Sequence, residues 1–280
     1  MNRLHIYIIG ISLLTLLACS RSADKESANP MPIERIDLFI DRYPSSAPDQ
    51  ESLQPGLGLY LKLMTGNATA CDSTFAMLHE SPVTAVFGKD IRERFTQCDS
   101  LARPLGRTIN RLESLLPEVN VTNVYGIASP YMQSVIVSDS IVMIALNHYL
   151  GSDYAGYTSM PEYRRCLKRA ARVPADVAEA LVRINYPYHP TDGTLLERML
   201  YEGAVLRAVS KALGTDATIA SGMSSDEYQT VKNNSRAIWE ALATERLLYT
   251  TSETDITRLT EPGPFSTIGK MQLPARAVNI

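Results

Sequence analysis

Residues 194–214 read TLLERMLYEGAVLRAVSKALG, and their pattern sets the fold. Thr194 and Glu197 have the spacing of a capping box, in which hydroxyl and carboxylate each satisfy a backbone N–H at a helix start. Gly214 supplies the stop. Between them Leu195, Leu196, Met199, Leu200, Ala204, Val205, Leu206, Ala208 and Val209 make the helix apolar around most of its circumference, which places it at the centre of a helical body. Glu202 lies within it, followed by Gly203. Gly203 costs roughly 1 kcal/mol of helix propensity relative to Ala and leaves room for another element to approach.

Helical periodicity recurs on both sides. A second capping box, Ser224 and Glu227, predicts a helix over Tyr228 to Leu248. Pro174 opens one that runs to Asn185 and buries Val177, Leu181 and Ile184, and Pro161 opens a shorter one to about Ala170. Over Asp90 to Leu116, Ile91, Phe95, Cys98 and Leu101 form one stripe and Leu105, Ile109, Leu112 and Leu116 the next, with Pro104 starting a second helix after a bend. Ile33 to about Asp41 reads as a short helix, and Leu57 to Met64 as a further apolar stretch. The pattern changes between Val119 and Leu150, where Val121–Tyr125, Met132–Val137 and Ile141–Leu146 fit three short strands, the last two joined at Ser138-Asp139. The fold class is therefore mostly α with a small β-sheet (α+β), in one domain over residues 33–280.

Residues 1–19, MNRLHIYIIGISLLTLLAC, combine Arg3, an apolar run from Ile6 to Leu17, and Ala18 before Cys19. The run is shorter than the ~20 residues a membrane span needs, so 1–18 reads as a lipoprotein signal peptide and Cys19 as the lipid attachment site. The alternative, less favoured, is a secretory signal with an incidental Cys. Two or more acyl chains, each methylene contributing ~0.8 kcal/mol, give firm anchorage. Residues 19–32 are small and polar with two prolines and read as a flexible tether. Because Ser20 to Asp24 lacks a dense acidic cluster, the expected location is the periplasmic face of the outer membrane.

Removing 18 of the 280 residues leaves 262, and losing Arg3 takes the formal charge from -3 to -4. Basic residues alternate with acidic ones, which argues against a nucleic-acid partner. Cys71, Cys98 and Cys166 are an odd set. Cys71 with Cys98 is a possible disulfide, and a buried free thiol at Cys98 is at least as good a reading. Their spacing fits neither a zinc ribbon nor a CxxC centre.

A glutamate on a central helix can be a general base, a metal ligand or a satisfied carboxylate. A zinc peptidase would place histidines one residue before and three after it; here those positions hold Tyr201 and Val205. A vestigial metal set of Glu202, His148 and Asp153 is conceivable, but a Tyr, Arg or backbone partner for Glu202 is the preferred expectation, with no cofactor and no catalysis. The loop Tyr186-Pro187-Tyr188-His189-Pro190 offers flat faces on a stiff backbone, so Tyr186, Tyr188 and His189 form a candidate binding loop for peptide or glycan. No P-loop, Rossmann fingerprint or nucleophile elbow is present.

The run Ile144-Ala145-Leu146-Asn147-His148-Tyr149-Leu150-Gly151-Ser152-Asp153-Tyr154, with Tyr157 and Pro161-Glu162-Tyr163 after it, resembles the gliding-motility lipoprotein GldB family of Bacteroidota. So do Met199-Leu200-Tyr201-Glu202-Gly203, Asn233-Asn234-Ser235-Arg236-Ala237-Ile238-Trp239 and Leu247-Leu248-Tyr249-Thr250-Thr251. Order and spacing carry the resemblance, from about Ile33 to the end. It implies a degenerate, distantly zincin-like helical domain with the Glu-Gly segment on the former metal-binding helix. It also implies an envelope lipoprotein tied to gliding and the associated secretion machinery. Two departures stand out: Asn147 occupies a position that is acidic in many relatives, and relatives continue past Ile280 with a Gly/Trp-containing helix, so a closing C-terminal element is expected to be missing. The resulting expectation is a non-catalytic structural or assembly factor, bound to the membrane through its lipid and to other envelope proteins. The alternatives are a noncanonical metallohydrolase around Glu202 and a periplasmic peptide- or glycan-binding module.

Overall fold

A computed structural model describes residues 29–46, 51, 53–96, 98–215 and 217–280; Cys19 and the signal lie outside them. A four-stranded sheet runs in the order β1 (Ile33–Arg35), β2 (Asn123–Ile127), β4 (Ile141–Ala145), β3 (Val135–Ser138). The β1–β2 and β2–β4 pairs are parallel, and β3–β4 is an antiparallel hairpin turning at Asp139, whose φ of 50° is left-handed. The strand alternation foreseen over Val119–Leu150 holds, with each strand shifted or shortened at its ends.

Alternation along the strands separates two cores. Val124, Val142 and Ile144 face the larger one, built from α4 (Pro82–Arg94), α5 (Asp99–Leu115), α7 (Val173–Asn185) and α8 (Leu195–Leu213). Tyr125, Ile127 and Met143 face α1 (Ile36–Asp41), α2 (Gly56–Thr65) and α3 (Asp72–His79). A Cβ on Gly56 would fall inside the Tyr125 ring, so only glycine lets α2 lie this close to the sheet. A third cluster joins the start of α8 to α10 (Ser225–Asn233), α11 (Ser235–Thr244), α12 (Glu253–Thr260) and the hairpin β5 (Ser266–Ile268)–β6 (Met271–Leu273). The short α6 (Glu162–Arg165) and α9 (Ala217–Ser221) complete the set. Among the described residues the protein is 56% helical, a mostly α chain carrying small sheets.

Five local expectations are corrected. Ile33–Arg35 is strand rather than helix, because β1 completes the parallel edge beside β2 and the helix begins only at Ile36. The break in the Asp90–Leu116 region falls at 95–98, where the Arg35 guanidinium donates to the Phe95 carbonyl and the Cys98 sulfur, and so closes the end of α4. Pro104 sits inside α5; the carbonyl its ring deprives of a partner belongs to the exposed Ser100. The single helix expected over Tyr228–Leu248 is two, α10 and α11, because the Asn234 side chain donates to the Thr230 carbonyl at 2.8 Å and competes with continued helix. The helix expected from Pro161 to Ala170 is the four-residue α6, and Ile184 is exposed although it continues the buried Val177–Leu181 stripe, because it stands in the last turn of α7, one residue before its end.

Residues 29–31, placed by the sequence in the tether, lie against α5: Met31 N–H donates to the Ala102 carbonyl at 2.9 Å, and Gly106 leaves space for the backbone of Asn29. Cys71, Cys98 and Cys166 are free thiols, Cys98 half-buried and the others exposed.

Candidate functional site

α8 is held at both ends as its sequence foretells. Thr194 Oγ accepts the Glu197 N–H at 3.3 Å, and Gly214 closes the helix with φ 70°. The Glu197 carboxylate accepts four backbone N–H groups, from Thr191, Asp192, Gly193 and Thr194, at 2.7 to 3.3 Å. Desolvation alone would raise the carboxyl, and these four donors together outweigh it and hold the group below the ordinary glutamate range. The helix packs on α5, α7, α9 and α12, so it is central. Its outer face is not covered: Leu200 is 66% exposed and lines, with Trp239 and Ile280, an open groove of about 700 Å³.

Glu202 lies on the covered face and is 2% exposed. The Arg183 guanidinium from α7 grips it in a two-pronged pair, Nη2 to Oε2 at 2.6 Å and Nη1 to Oε1 at 3.1 Å. Arg198, one turn earlier on α8, brings Nε to 3.1 Å of Oε1, and Arg276 brings Nη2 to 3.9 Å of Oε2. Arg183 also donates to Glu179 on its own helix, at 2.8 and 3.0 Å, and Arg198 Nη2 pairs with Glu261 at 2.8 Å. Burial would raise the Glu179 carboxyl, but Arg276 and Arg183 overcome it and hold the group below the usual range. Burial likewise disfavours charge on Arg183, and its two carboxylates reverse that and raise it. Tyr201 and Tyr188 cover the guanidinium groups, with Arg183 5.8 Å from the Tyr201 ring centre and Arg198 4.9 Å from that of Tyr188.

Gly203 serves close approach, as its position suggests. A Cβ there would meet the Asn279 carbonyl at 3.3 Å, so the segment that carries Arg276 crosses α8 at this point. A polar cavity of about 280 Å³ lies among these arginines and glutamates.

The other sequence candidates occupy separate places. His148 ends a 3-10 turn after β4; its Nδ1 is 3.0 Å from Ser134 Oγ, which also accepts from Lys168 Nζ at 3.3 Å. Burial and the Lys168 charge lower the imidazole to about 4, so it is neutral at physiological pH. Asp153 is exposed beside Gly151. Glu202, His148 and Asp153 thus have three different sets of neighbours, and among the described residues no group of three His, Cys, Asp or Glu side chains is arranged to hold a metal. In the loop, the Tyr186 hydroxyl donates to Glu118, and its carbonyl accepts from the Tyr201 hydroxyl at 3.1 Å. Tyr188 packs on Tyr201 at 5.1 Å between ring centres, and only His189 stands free of such ties on the exposed edge. Asn147 is buried and makes a reciprocal pair with Ser129, Oδ1 accepting its N–H at 3.0 Å and Nδ2 donating to its carbonyl at 2.9 Å.

Residues 20–278 match the family described as gliding motility protein GldB. The chain belongs to the GldB family. The blocks that carried the resemblance fall on β4 and the turns after it, on α8, and on the junction of α10 with α11. The GldB match covers the whole arginine–glutamate cluster. No curated protein and no solved structure matches the chain, and nothing in these comparisons supports a distant likeness to zinc peptidases. Among the described residues no helix is long and apolar enough to cross a membrane.

Sequence reasoning found Glu202 and missed Arg183, Arg198, Arg276, Glu179 and Glu261. Two of the missed pairs had a local signal, since Glu179 with Arg183 and Arg198 with Glu202 are spaced i,i+4. Arg276 had none; it reaches the cluster only through the path of the chain beyond β6.

Proposed function

We propose that this GldB-family chain is a lipid-anchored envelope protein, attached through Cys19 at the periplasmic face of the outer membrane. It acts as a non-catalytic structural or assembly factor for gliding motility and the secretion machinery linked to it, in contact with other envelope proteins. The observation that carries the non-catalytic reading is the state of Glu202: both of its oxygens are engaged by guanidinium groups. A general base needs a free lone pair directed at substrate, and a metal ligand needs an oxygen that no cation already holds. The family match carries the link to gliding. The binding-loop reading is less favoured, because Tyr188 spends its ring on Tyr201 and Arg198.

The test is deletion of the gene followed by complementation with the intact chain and with Cys19→Ala. Loss of surface spreading or secretion, restored by the intact chain and not by the Cys19 variant, supports the reading. Unchanged spreading, secretion and envelope integrity in the deletion strain overturns it. Protease treatment of intact cells then assigns the face.

A further inference from the structure

The cavity beside Glu202 contains a guanidinium that the protein leaves without an acceptor. Arg276 is 9% exposed and stands at φ 64°, a left-handed conformation rare for a side-chain-bearing residue, which turns the chain just before the 3-10 turn Ala277–Asn279. Its Nη2 lies 3.9 Å from both Glu179 and Glu202, beyond hydrogen-bond reach, and its buried Nε has no partner. The Arg198 Nε is also without a hydrogen bond; its 3.1 Å approach to Glu202 is out of line. A guanidinium carries five donors and no acceptor, and enclosing it without acceptors is costly.

Charge points the same way. Arg183, Arg198 and Arg276 face two enclosed carboxylates, Glu179 and Glu202, so the third positive charge is balanced only from the rim. The third carboxylate, Glu261, is 45% exposed at the rim and engages Arg198 alone. About 280 Å³ of space, at roughly 30 Å³ per water, suits a ligand the size of one or two amino acids.

We propose that this cavity binds a small monocarboxylate, whose oxygens take the open donors of Arg276 and replace Glu261 on Arg198. A doubly charged phosphate fits less well, because Glu179 and Glu202 sit in the same wall and repel a second negative charge. The ligand chemistry is shared by a free short acid and by the carboxyl terminus of a peptide. The site stands independently of the motility role, since it concerns binding by the isolated chain.

The experiment is titration calorimetry on the full chain in detergent. The probes are N-acetylalanine, N-acetylalanyl-alanine, the amides of both, and inorganic phosphate. Saturable one-site binding of the free acids, with the amides and phosphate at least tenfold weaker, is the expected result. Tighter binding of the dipeptide acid assigns a peptide terminus, and equal binding assigns a free acid. Arg276→Gln weakens binding at least tenfold, and Glu261→Gln, by removing the rim competitor, strengthens it at least threefold. Absence of saturable binding by either acid overturns the proposal, as does phosphate binding as tightly as the acids. So does unchanged affinity in a folded Arg276→Gln protein. If that variant does not fold, the exposed Glu261→Gln decides, and failure to tighten overturns the site.

Discussion

Replacing Glu202 with Gln separates an ion-pair anchor from a catalytic carboxylate by the sign of its effect on stability. Gln keeps the shape and one acceptor, but it removes the charge that Arg183 grips at 2.6 and 3.1 Å and turns an N–H₂ group towards guanidinium donors. Breaking one side of a buried ion pair costs about 3–5 kcal/mol. Arg183 retains Glu179 and keeps a third of its side chain in solvent, so the lower end applies, about 3 kcal/mol. At ~2–4 °C per kcal/mol for a domain of this size, the midpoint falls by roughly 6–12 °C. Urea and thermal unfolding of the full chain at neutral pH measure both quantities. A functional carboxylate held in an unfavourable site behaves oppositely, since its removal commonly stabilises the fold. A Gln variant as stable as the natural chain, or more so, refutes the reasoning.

Asn147→Asp, which introduces the acidic residue expected from the family resemblance, sets a carboxylate oxygen against the Ser129 carbonyl and is expected to cost ~2–4 kcal/mol at neutral pH. The cost shrinks in acid, where the protonated carboxyl donates as the amide does; urea unfolding at two pH values checks this. His148, lowered from 6.5 to about 4, stays neutral in the folded protein while the unfolded chain takes up its proton below 6.5, so its contribution is fully present above that pH and is lost as pH falls towards 4. The loss reaches about 3 kcal/mol, and His148→Gln removes that part of the pH–stability curve. Gly56→Ala forces a methyl into the Tyr125 ring and is expected to cost about 1–3 kcal/mol as overpacking, read from the urea midpoint.

The parts of this fold legible in the sequence are those set by neighbours along the chain. Thr194 with Glu197, Ser224 with Glu227 and Gly214 each act within a few residues, and all three do in space what their spacing implies. The hairpin at Asp139 was equally local. What escaped depended on distant partners. A three-residue strand at Ile33 exists only because Val124 to Gly126 lie beside it, and the end of α4 is fixed by an arginine sixty residues earlier. Glu202 was visible because a carboxylate at the middle of a largely apolar helix, beside Gly203, is conspicuous. Its arginines were not, because α7, α8 and the segment after β6 meet only after the chain has folded.

The claim that Glu202 anchors α7 to α8 and performs no chemistry is tested most directly by the double variant Arg183→Met with Glu202→Met. It replaces the pair with apolar side chains and leaves Arg198 and Arg276 balanced by Glu179 and Glu261. The measurement is surface spreading of the complemented deletion strain, normalised to the amount of protein in the envelope. Spreading per molecule equal to that of the natural chain is the predicted result. A variant present at normal abundance that restores no spreading contradicts the account, because the carboxylate then does more than hold two helices together.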